Sequence, residues 1–406
     1  MANAHAEIRL AERPAPDGSP TPANDATPAP LRIPRMRARR PLVCAIGLRN
    51  IPGTMGGIET HCENLYPRLV RCGYDVVVLA RSPYASAQTR KFEGVRVRRL
   101  WAFRHKYLET LLHTFVALCF ARACLDPDIL HLHAIGPGFF APLSKLMGFK
   151  TIVTHHAPDY LRPKWGIVGR AFLRAGEFLA VCFADRVVCV NAAIRDDLVR
   201  RFPFAADRID MIRNGAPEAE PAPAPEAVLS RLGLATGGYI LAVGRLEATK
   251  GFHELVAAFE RAEPSALKLV IVGSVYKSDR YARELLARAS PRILFPGFIK
   301  GPDLHALYAG AAVYVHPSHM ESFSLAILEA LVAGAPVLLS DIPANREFDL
   351  EDEAYFPTGD VSALAARLAA GDWRRSERAA AVIAENNWNT AAGRYANMLA
   401  SLRQAP

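Results

Sequence analysis

The chain holds 406 residues, 51% hydrophobic and 22% charged, a balance that suits a soluble α/β protein and a length that predicts two domains rather than one core. No stretch of about 18 or more apolar residues is free of charge, so no membrane-spanning helix is expected. The N-terminus lacks the apolar block of a secretory signal, and cytoplasmic residence is the resulting expectation. The seven cysteines form no C-x-x-C pair and read as buried, reduced thiols without a catalytic member.

Charge is unevenly spread. Residues 1–40 carry a net +3, residues 41–216 a net +10 and residues 217–406 a net −4. The basic middle section fits an anionic neighbour such as a membrane face or a lipid diphosphate, and equally a solubilising surface bias.

Residues 1–40 are rich in Pro and Ala and end in Arg35, Arg37, Arg39 and Arg40, a composition that predicts a disordered tail. From Leu42 short apolar runs alternate with amphipathic ones. Strands are predicted at LVCAIGL (from Leu42), VVVLA (Val76), VRVRRL (Val95), ILHLHA (Ile129), TIVTHH (Thr151) and RVVCVN (Arg186), with helices between most of them. A segment rich in Pro, Ala and Glu follows Ala216 and reads as a linker. The alternation restarts with YILAVG (Tyr239), KLVIVGS (Lys268), ILFPG (Ile293), AAVYVHPS (Ala311) and PVLLS (Pro336), and ends in a helix from Trp388. Such strand–helix alternation implies parallel βαβ units, and two such sets imply two facing Rossmann-like domains.

Four segments carry candidate chemistry. In ESFSLAILEALVAGAPVLLS, Glu321 and Glu329 stand eight apart with a helix starting between them. Ser322 and Ser324 open that helix and leave backbone N–H groups for an anion. One carboxylate then suits ribose hydroxyls and the other a sugar, at the two ends of a nucleotide-sugar; an amphipathic helix with a favourable N-terminal acid explains the spacing as well. In VGRLEATKGF, Arg245 and Lys250 lie on a loop with Gly244 and Gly251 and suit a diphosphate. In IPGTMGGIET, Gly56 and Gly57 at a helix start permit close approach of a phosphate or sugar, and the absence of G-x-G-x-x-G argues against a nicotinamide dehydrogenase. In THHAPDY, His155, His156 and Asp159 end a strand. His131 and His133 lie on the strand before, yet no recognised zinc spacing is present and no metal is expected. The basic, aromatic run from Tyr160 to Phe183 fits either a membrane-facing surface or a packing helix.

Taken in order over residues 42–403, GGIETHCENLYPRLVRCGYDVVVLAR, THHAPDY, VGRLEATKGF, GFIKGPDLHALYAGAAVYVHPS and ESFSLAILEALVAGAPVL resemble glycosyltransferase family 4, and the early segment looks like its bacterial exopolysaccharide and rhamnosyltransferase-like branch. The resemblance implies an α/β protein of two facing Rossmann-like domains, the GT-B fold, with a C-terminal helix crossing back to the first. Its domains are then a tail (1–40), an acceptor-binding domain (41–215), a linker (216–236), a nucleotide-sugar-binding domain (237–386) and the crossover helix (387–406). It also implies retaining transfer of a hexose or deoxyhexose without cofactor or metal, from a nucleotide diphosphate sugar as co-substrate. The catalytic residues become Arg245, Lys250, Glu321 and His156. The donor lies on Gly56, Gly57, Gly244, Phe298, Ile299, Ser322, Phe323, Ser324, Leu325 and Glu329, and the acceptor side holds Glu59, His155 and Asp159. Expected partners are a glycan or lipid-linked acceptor in cell-surface polysaccharide synthesis and an anionic membrane face, with no nucleic acid. A non-catalytic scaffold of the same fold is the alternative. Ser322 and Ser324 depart from the family's usual Glu-Gly-Phe-Gly, which puts the tightness of the turn at Ser324 in question.

Overall fold

A computed structural model describes residues 39–404 apart from 55, 86–89, 106–107, 164, 219–224, 265 and 275–279. The expected N-terminal tail lies outside the described residues, except for its last two positions.

The first lobe runs β1 (Leu42–Ile46), α1 (Gly57–Arg71), β2 (Asp75–Arg81), β3 (Lys91–Phe92), β4 (Val95–Leu100), α2 (Leu108–Phe120), β5 (Ile129–His133), α3 (Ile135–Gly138), α4 (Ala141–Leu146), β6 (Lys150–His155), α5 (Ile167–Phe183), β7 (Arg186–Cys189), α6 (Ala192–Arg201) and β8 (Ile209–Met211). Its sheet has the order β3-β4-β2-β1-β5-β6-β7-β8, parallel except for the β3–β4 pair. Helices cover both faces, and β1 is correspondingly apolar and buried along its whole length. The short strands β3 and β8 were not among the expected ones.

The second lobe runs α7 (Pro225–Arg231), β9 (Tyr239–Val243), α8 (Phe252–Ala262), β10 (Lys268–Val272), α9 (Arg280–Leu286), β11 (Ile293–Gly297), α10 (Pro302–Gly310), β12 (Val313–His316), α11 (Leu325–Val332), β13 (Val337–Ser340), α12 (Pro343–Arg346), β14 (Tyr355–Phe356), α13 (Val361–Ala370) and α14 (Ala379–Glu385). Its parallel sheet has the order β11-β10-β9-β12-β13-β14. The expected 216–236 linker is corrected in part, because it contains α7, whose Val228 and Leu229 are buried in the core. In both lobes strand order reverses beside the first strand, between β1 and β5 and between β9 and β12. Such switch points open crevices at the carboxyl ends of parallel strands.

The last helix, α15 (Trp388–Gln404), packs on α1 of the first lobe. Trp388, Ala392, Tyr395 and Leu399 join the same core cluster as Leu65 and Tyr66. The Tyr74 hydroxyl donates to Ala396 O at 2.9 Å. The two chain crossings between lobes run side by side, with Ala216 N–H donating to Asn386 O at 2.7 Å. Gly215 is required there, since a Cβ would stand 2.2 Å from the backbone nitrogen of Trp388.

Two expectations of composition are corrected. Cys44, Cys62 and Cys189 are buried, but Cys72, Cys119 and Cys124 are exposed. The helical stretch Leu108–Leu125 is long and apolar enough, by length and composition alone, to cross a membrane, because it carries only Glu109 and Arg122 as charges. It lies along the first lobe with His113, Ala117, Leu118 and Ala121 buried and most of its surface open.

Candidate active site between the lobes

A cavity of about 1430 Å³ lies between the lobes, lined by the loops that follow β1, β5, β6, β9, β11 and β12. It brings together His156, Gly56, Gly57, Glu59 and Asp159 from the first lobe. From the second come Gly244, Arg245, Lys250, Phe298, Ile299, Glu321, Ser322, Phe323, Ser324, Leu325 and Glu329.

On the second lobe, Lys250 leaves a short 3₁₀ turn and pairs directly with Glu321. Gly251 ends that turn at φ 67° and lies against Pro317, where a Cβ would meet the carbonyl oxygen at 2.1 Å. Glu321 also accepts from Ser318 Oγ at 2.8 Å and from His316 Nε2 at 2.9 Å. Burial alone would raise the Glu321 pKa, but the Lys250 ammonium and the His316 hydrogen bond override it and hold the carboxyl well below its usual range. His316 is itself kept neutral by burial, so Nε2–H donates to Glu321 and Nδ1 accepts from Tyr314 Oη at 2.7 Å.

Glu329 has the opposite environment. Tyr308 Oη donates to it at 3.0 Å, and burial pushes its pKa up to about 7. The two acids therefore differ in charge state near neutrality: Glu321 is an anion, whereas Glu329 is poised between its two forms.

Between them the helix is shorter than the sequence spacing assumed. Glu321 precedes α11, which begins at Leu325. Ser324 occupies the N-cap with φ −80° and ψ 110°, an ordinary extended conformation, and makes no side-chain cap. The serine in place of glycine is thus accommodated without strain, and its own side chain leaves the helix N-terminus at the cavity uncapped.

On the first lobe, Gly57 faces open space, with no atom within 4 Å of where a Cβ would be. The loop before it is fixed by two acids of α1: Arg49 N–H donates to Glu59 at 3.0 Å and Gly53 N–H to Glu63 at 2.7 Å. His156 stands in a chain of neutral rings. Its Nε2 meets His133 Nδ1 at 3.0 Å, His133 Nε2 meets Tyr66 Oη at 2.5 Å, and Tyr66 meets His131 Nδ1 at 3.1 Å. His131 continues to Thr154 at 2.7 Å, and Thr154 to Tyr395 of α15 at 3.0 Å. Burial holds His131, His133 and His156 below the usual imidazole range. His61 of α1 joins them; its Nδ1–H donates to Asn214 Oδ1 at 2.7 Å, and burial lowers its pKa to about 4. Nitrogens of His61, His133 and His156 lie within 4.8 Å of one another. The sequence grouped His131 with His133 and His155 with His156; the structure selects a different trio.

His155 is corrected. It is buried on the far side of β6, bonds Glu177 at 2.8 Å and does not line the cavity, because successive strand residues point to opposite faces. Sequence reading also missed His61 and Asn214, which meet across 153 positions. It noted Arg162 only as part of a basic segment. Arg162 lines the cavity and bridges the lobes to Glu247 at 3.1 Å.

Comparison with known proteins agrees with this geometry. Residues 55–220 match the profile described as Glycosyltransferase Family 4, and residues 237–370 match that described as Glycosyl transferases group 1. The alpha-maltose-1-phosphate synthase of Mycolicibacterium smegmatis is 30% identical over 263 residues, which cover 59% of this chain and 67% of that protein. The chain belongs to glycosyltransferase family 4. An uncharacterized glycosyltransferase of Methanocaldococcus jannaschii, 28% identical over 317 residues, covers 73% of this chain and 79% of its own. Among solved structures, sucrose-phosphate synthase from Thermosynechococcus elongatus superposes with a TM-score of 0.77 at 22% identity, over 90% of this chain and 100% of that one. Anabaena HepE in complex with UDP and glucose gives 0.69 at 20% identity, over 89% and 100%. The two parallel-sheet lobes are therefore the GT-B fold, and this family 4 member is a transferase that draws on a nucleotide-sugar donor.

Proposed function

We propose that the protein is a retaining, metal-independent glycosyltransferase that moves a hexose or deoxyhexose from a nucleotide diphosphate sugar to a glycan or lipid-linked acceptor of a cell-surface polysaccharide. The convergence of Arg245, Lys250, the uncapped α11 N-terminus, Glu321 and Glu329 on one inter-lobe cavity carries the reading. The diphosphate sits over the α11 N-terminus, where backbone N–H groups and the helix dipole favour anions. Arg245 and Lys250 stabilise the negative charge that grows on the leaving phosphate as the C1–O bond loosens toward an oxocarbenium-like state. Glu329 accepts from ribose hydroxyls and Glu321 from the sugar. His156, neutral and bonded to His133, orients the sugar from the first lobe. The acceptor hydroxyl attacks from the face the diphosphate leaves and passes its proton to a phosphate oxygen. Side-chain cations supply the charge compensation in this scheme, so transfer proceeds in EDTA.

A lipid-linked acceptor is supported by exposed apolar side chains of the first lobe. Leu108, Ile167 and Val168 are exposed and line the cavity, and Trp101, Phe103 and Phe115 of the same lobe are exposed as well, together with Arg104 and Arg170. Such a mixture suits the interface of an anionic membrane, and it supports the reading of a peripheral protein on the inner membrane face.

The test is a thermal-shift screen of UDP-, GDP-, ADP- and dTDP-sugars, followed by transfer to candidate acceptors with the product anomer read by NMR. A stabilising donor and a product of unchanged anomeric configuration are expected. An inverted product removes the retaining mechanism, and a chain stabilised by none of the donors removes the whole reading.

A further inference from the structure

Three imidazoles from three separate elements converge behind the first-lobe wall: His61 from α1, His133 from the end of β5 and His156 just after β6. Each offers a ring nitrogen, and the three nitrogens lie within 4.8 Å of one another. The ring centroids are 4.9, 5.3 and 5.6 Å apart. Three imidazoles on one tetrahedral ion, with metal–nitrogen bonds of about 2.0–2.1 Å, hold their centroids about 5 Å apart. The rings thus already stand at ligand separation, and small pivots bring the nitrogens together. The opposite ring nitrogens are engaged elsewhere. His61 Nδ1 donates to Asn214 Oδ1 at 2.7 Å, which leaves Nε2 as a bare lone pair, buried and without a hydrogen-bond partner among the described residues. A buried acceptor in that state is costly, and a cation removes the cost. His133 turns Nδ1 toward His156 Nε2 at 3.0 Å, while its Nε2 meets Tyr66 Oη. Protons can all run outward from there, from His133 Nε2 to Tyr66, from Tyr66 to His131 Nδ1 and from His131 Nε2 to Thr154, so His133 Nδ1 can act as a bare nitrogen. Such outer partners fix the tautomer and the plane of a ligating imidazole. The set holds three nitrogens and no carboxylate, and His156 opens it to the cavity. That chemistry suits zinc and its neighbours, not magnesium or calcium.

We infer that His61 Nε2, His133 Nδ1 and His156 Nε2 form a binding site for a zinc-class divalent ion, with a fourth position toward the cavity, and that ion and donor sugar exclude one another because both use His156. The site stands on the convergence of the three rings. The exclusion rests on the nucleotide-sugar reading above, in which His156 meets the sugar. Zinc is then an inhibitor of a transfer that itself proceeds without metal. The competing role is packing alone, in which the three rings only fill space and hold no ion.

Cobalt(II) is the visible probe, because the four-coordinate ion absorbs strongly and displacement by zinc bleaches it. The full chain, stripped with EDTA and dialysed, should bind one cobalt ion per chain with that spectrum. His61→Asn keeps an amide where Nδ1 stands and removes Nε2, and His156→Ala removes the half-buried ligand at the cavity surface. Each should weaken cobalt by at least about tenfold, since the loss of a supporting partner alone costs a metal site that much. The melting temperature without metal should change little. If His61→Asn does not fold, His156→Ala decides alone. A wild type without the spectrum at millimolar cobalt, or unchanged affinity in the folded variants, overturns the site. UDP-, GDP-, ADP- and dTDP-sugars are then added to the cobalt-loaded wild type beside the matching diphosphates, which also chelate cobalt but bring no sugar to His156. The donor that stabilises the chain should displace the ion more than its diphosphate does, and equal displacement overturns the exclusion. If no donor stabilises the chain while cobalt still binds, the nucleotide-sugar reading falls with the exclusion and the metal site stands.

Discussion

The two walls of the cleft share a topology and differ in electrostatics. The first lobe is the basic one by composition, yet on its wall Arg81 and Arg162 are paired with Glu109 and Asp159, Glu59 and Glu63 tie down backbone N–H groups, and His156 is held neutral by burial and by the imidazoles behind it. The second lobe carries an excess of acids, yet it delivers Arg245, Lys250 and the N-terminus of α11. Net charge of a lobe therefore says little about the charge it presents to a ligand. What matters is which side chains the loops at the carboxyl ends of its strands place there, and the surplus arginines of the first lobe are mostly elsewhere on its surface.

The largest effect tests the charged wall. Lys250→Ala should lower kcat for transfer by about 10²- to 10³-fold, the usual cost of removing one preorganised stabiliser of developing negative charge. Near wild-type turnover would mean that this wall does not stabilise the leaving group. Next comes the difference between the two acids. Glu329 has a pKa raised by burial to about 7 and must be ionised to accept from both ribose hydroxyls, so donor affinity should rise about tenfold between pH 6 and pH 8. Glu329→Gln should flatten that rise, and calorimetry across the pH range reads both.

The neutral wall predicts a stability effect of the same pH sense. His61 and His131 have folded pKa values depressed below the unfolded value of about 6.5, so the unfolded chain takes up protons first as pH falls. Stability should be fully present above that value and should drop below it, by about 1 kcal/mol per pH unit for each buried imidazole, until the folded values are reached. Denaturant unfolding at pH 7 and pH 5.5 checks this. A chain equally stable at both would show that these rings are not held neutral. The smallest effect concerns the outer surface. Binding to anionic vesicles should be present at low salt and fall as salt screens Arg104 and Arg170, and Ile167→Ser with Val168→Ser should weaken it a few-fold. No sedimentation with anionic vesicles at low salt would leave the membrane face without support.

The charged wall was legible in the sequence because it is local. Arg245 and Lys250 share one loop, and Glu321 and Glu329 flank one helix start. The parallel strands were equally readable as short apolar runs, while β3, β8 and β14 escaped because two or three residues carry too little pattern. The neutral wall was largely hidden. His61 meets Asn214, and Thr154 meets Tyr395, only after the chain has closed on itself, over 153 and 241 positions. His155 and His156 look interchangeable in the sequence, yet their alternate directions send one to Glu177 and the other to the cavity. The pairing of Arg162 with Glu247 spans 85 positions and two lobes, and no local spacing announces it.

The position of α15 has a consequence for biosynthesis. The apolar strip of the first lobe formed by Leu65, Tyr66 and Ile212 is sealed by Trp388, Tyr395 and Leu399, which the ribosome makes after every other described strand and helix except the end of α15 itself. The lobe translated first is thus the one whose interior is completed last. A nascent chain paused after residue 215 should leave that strip bare, and residues 41–215 expressed alone should be prone to clump unless a peptide spanning 387–404 is added in trans.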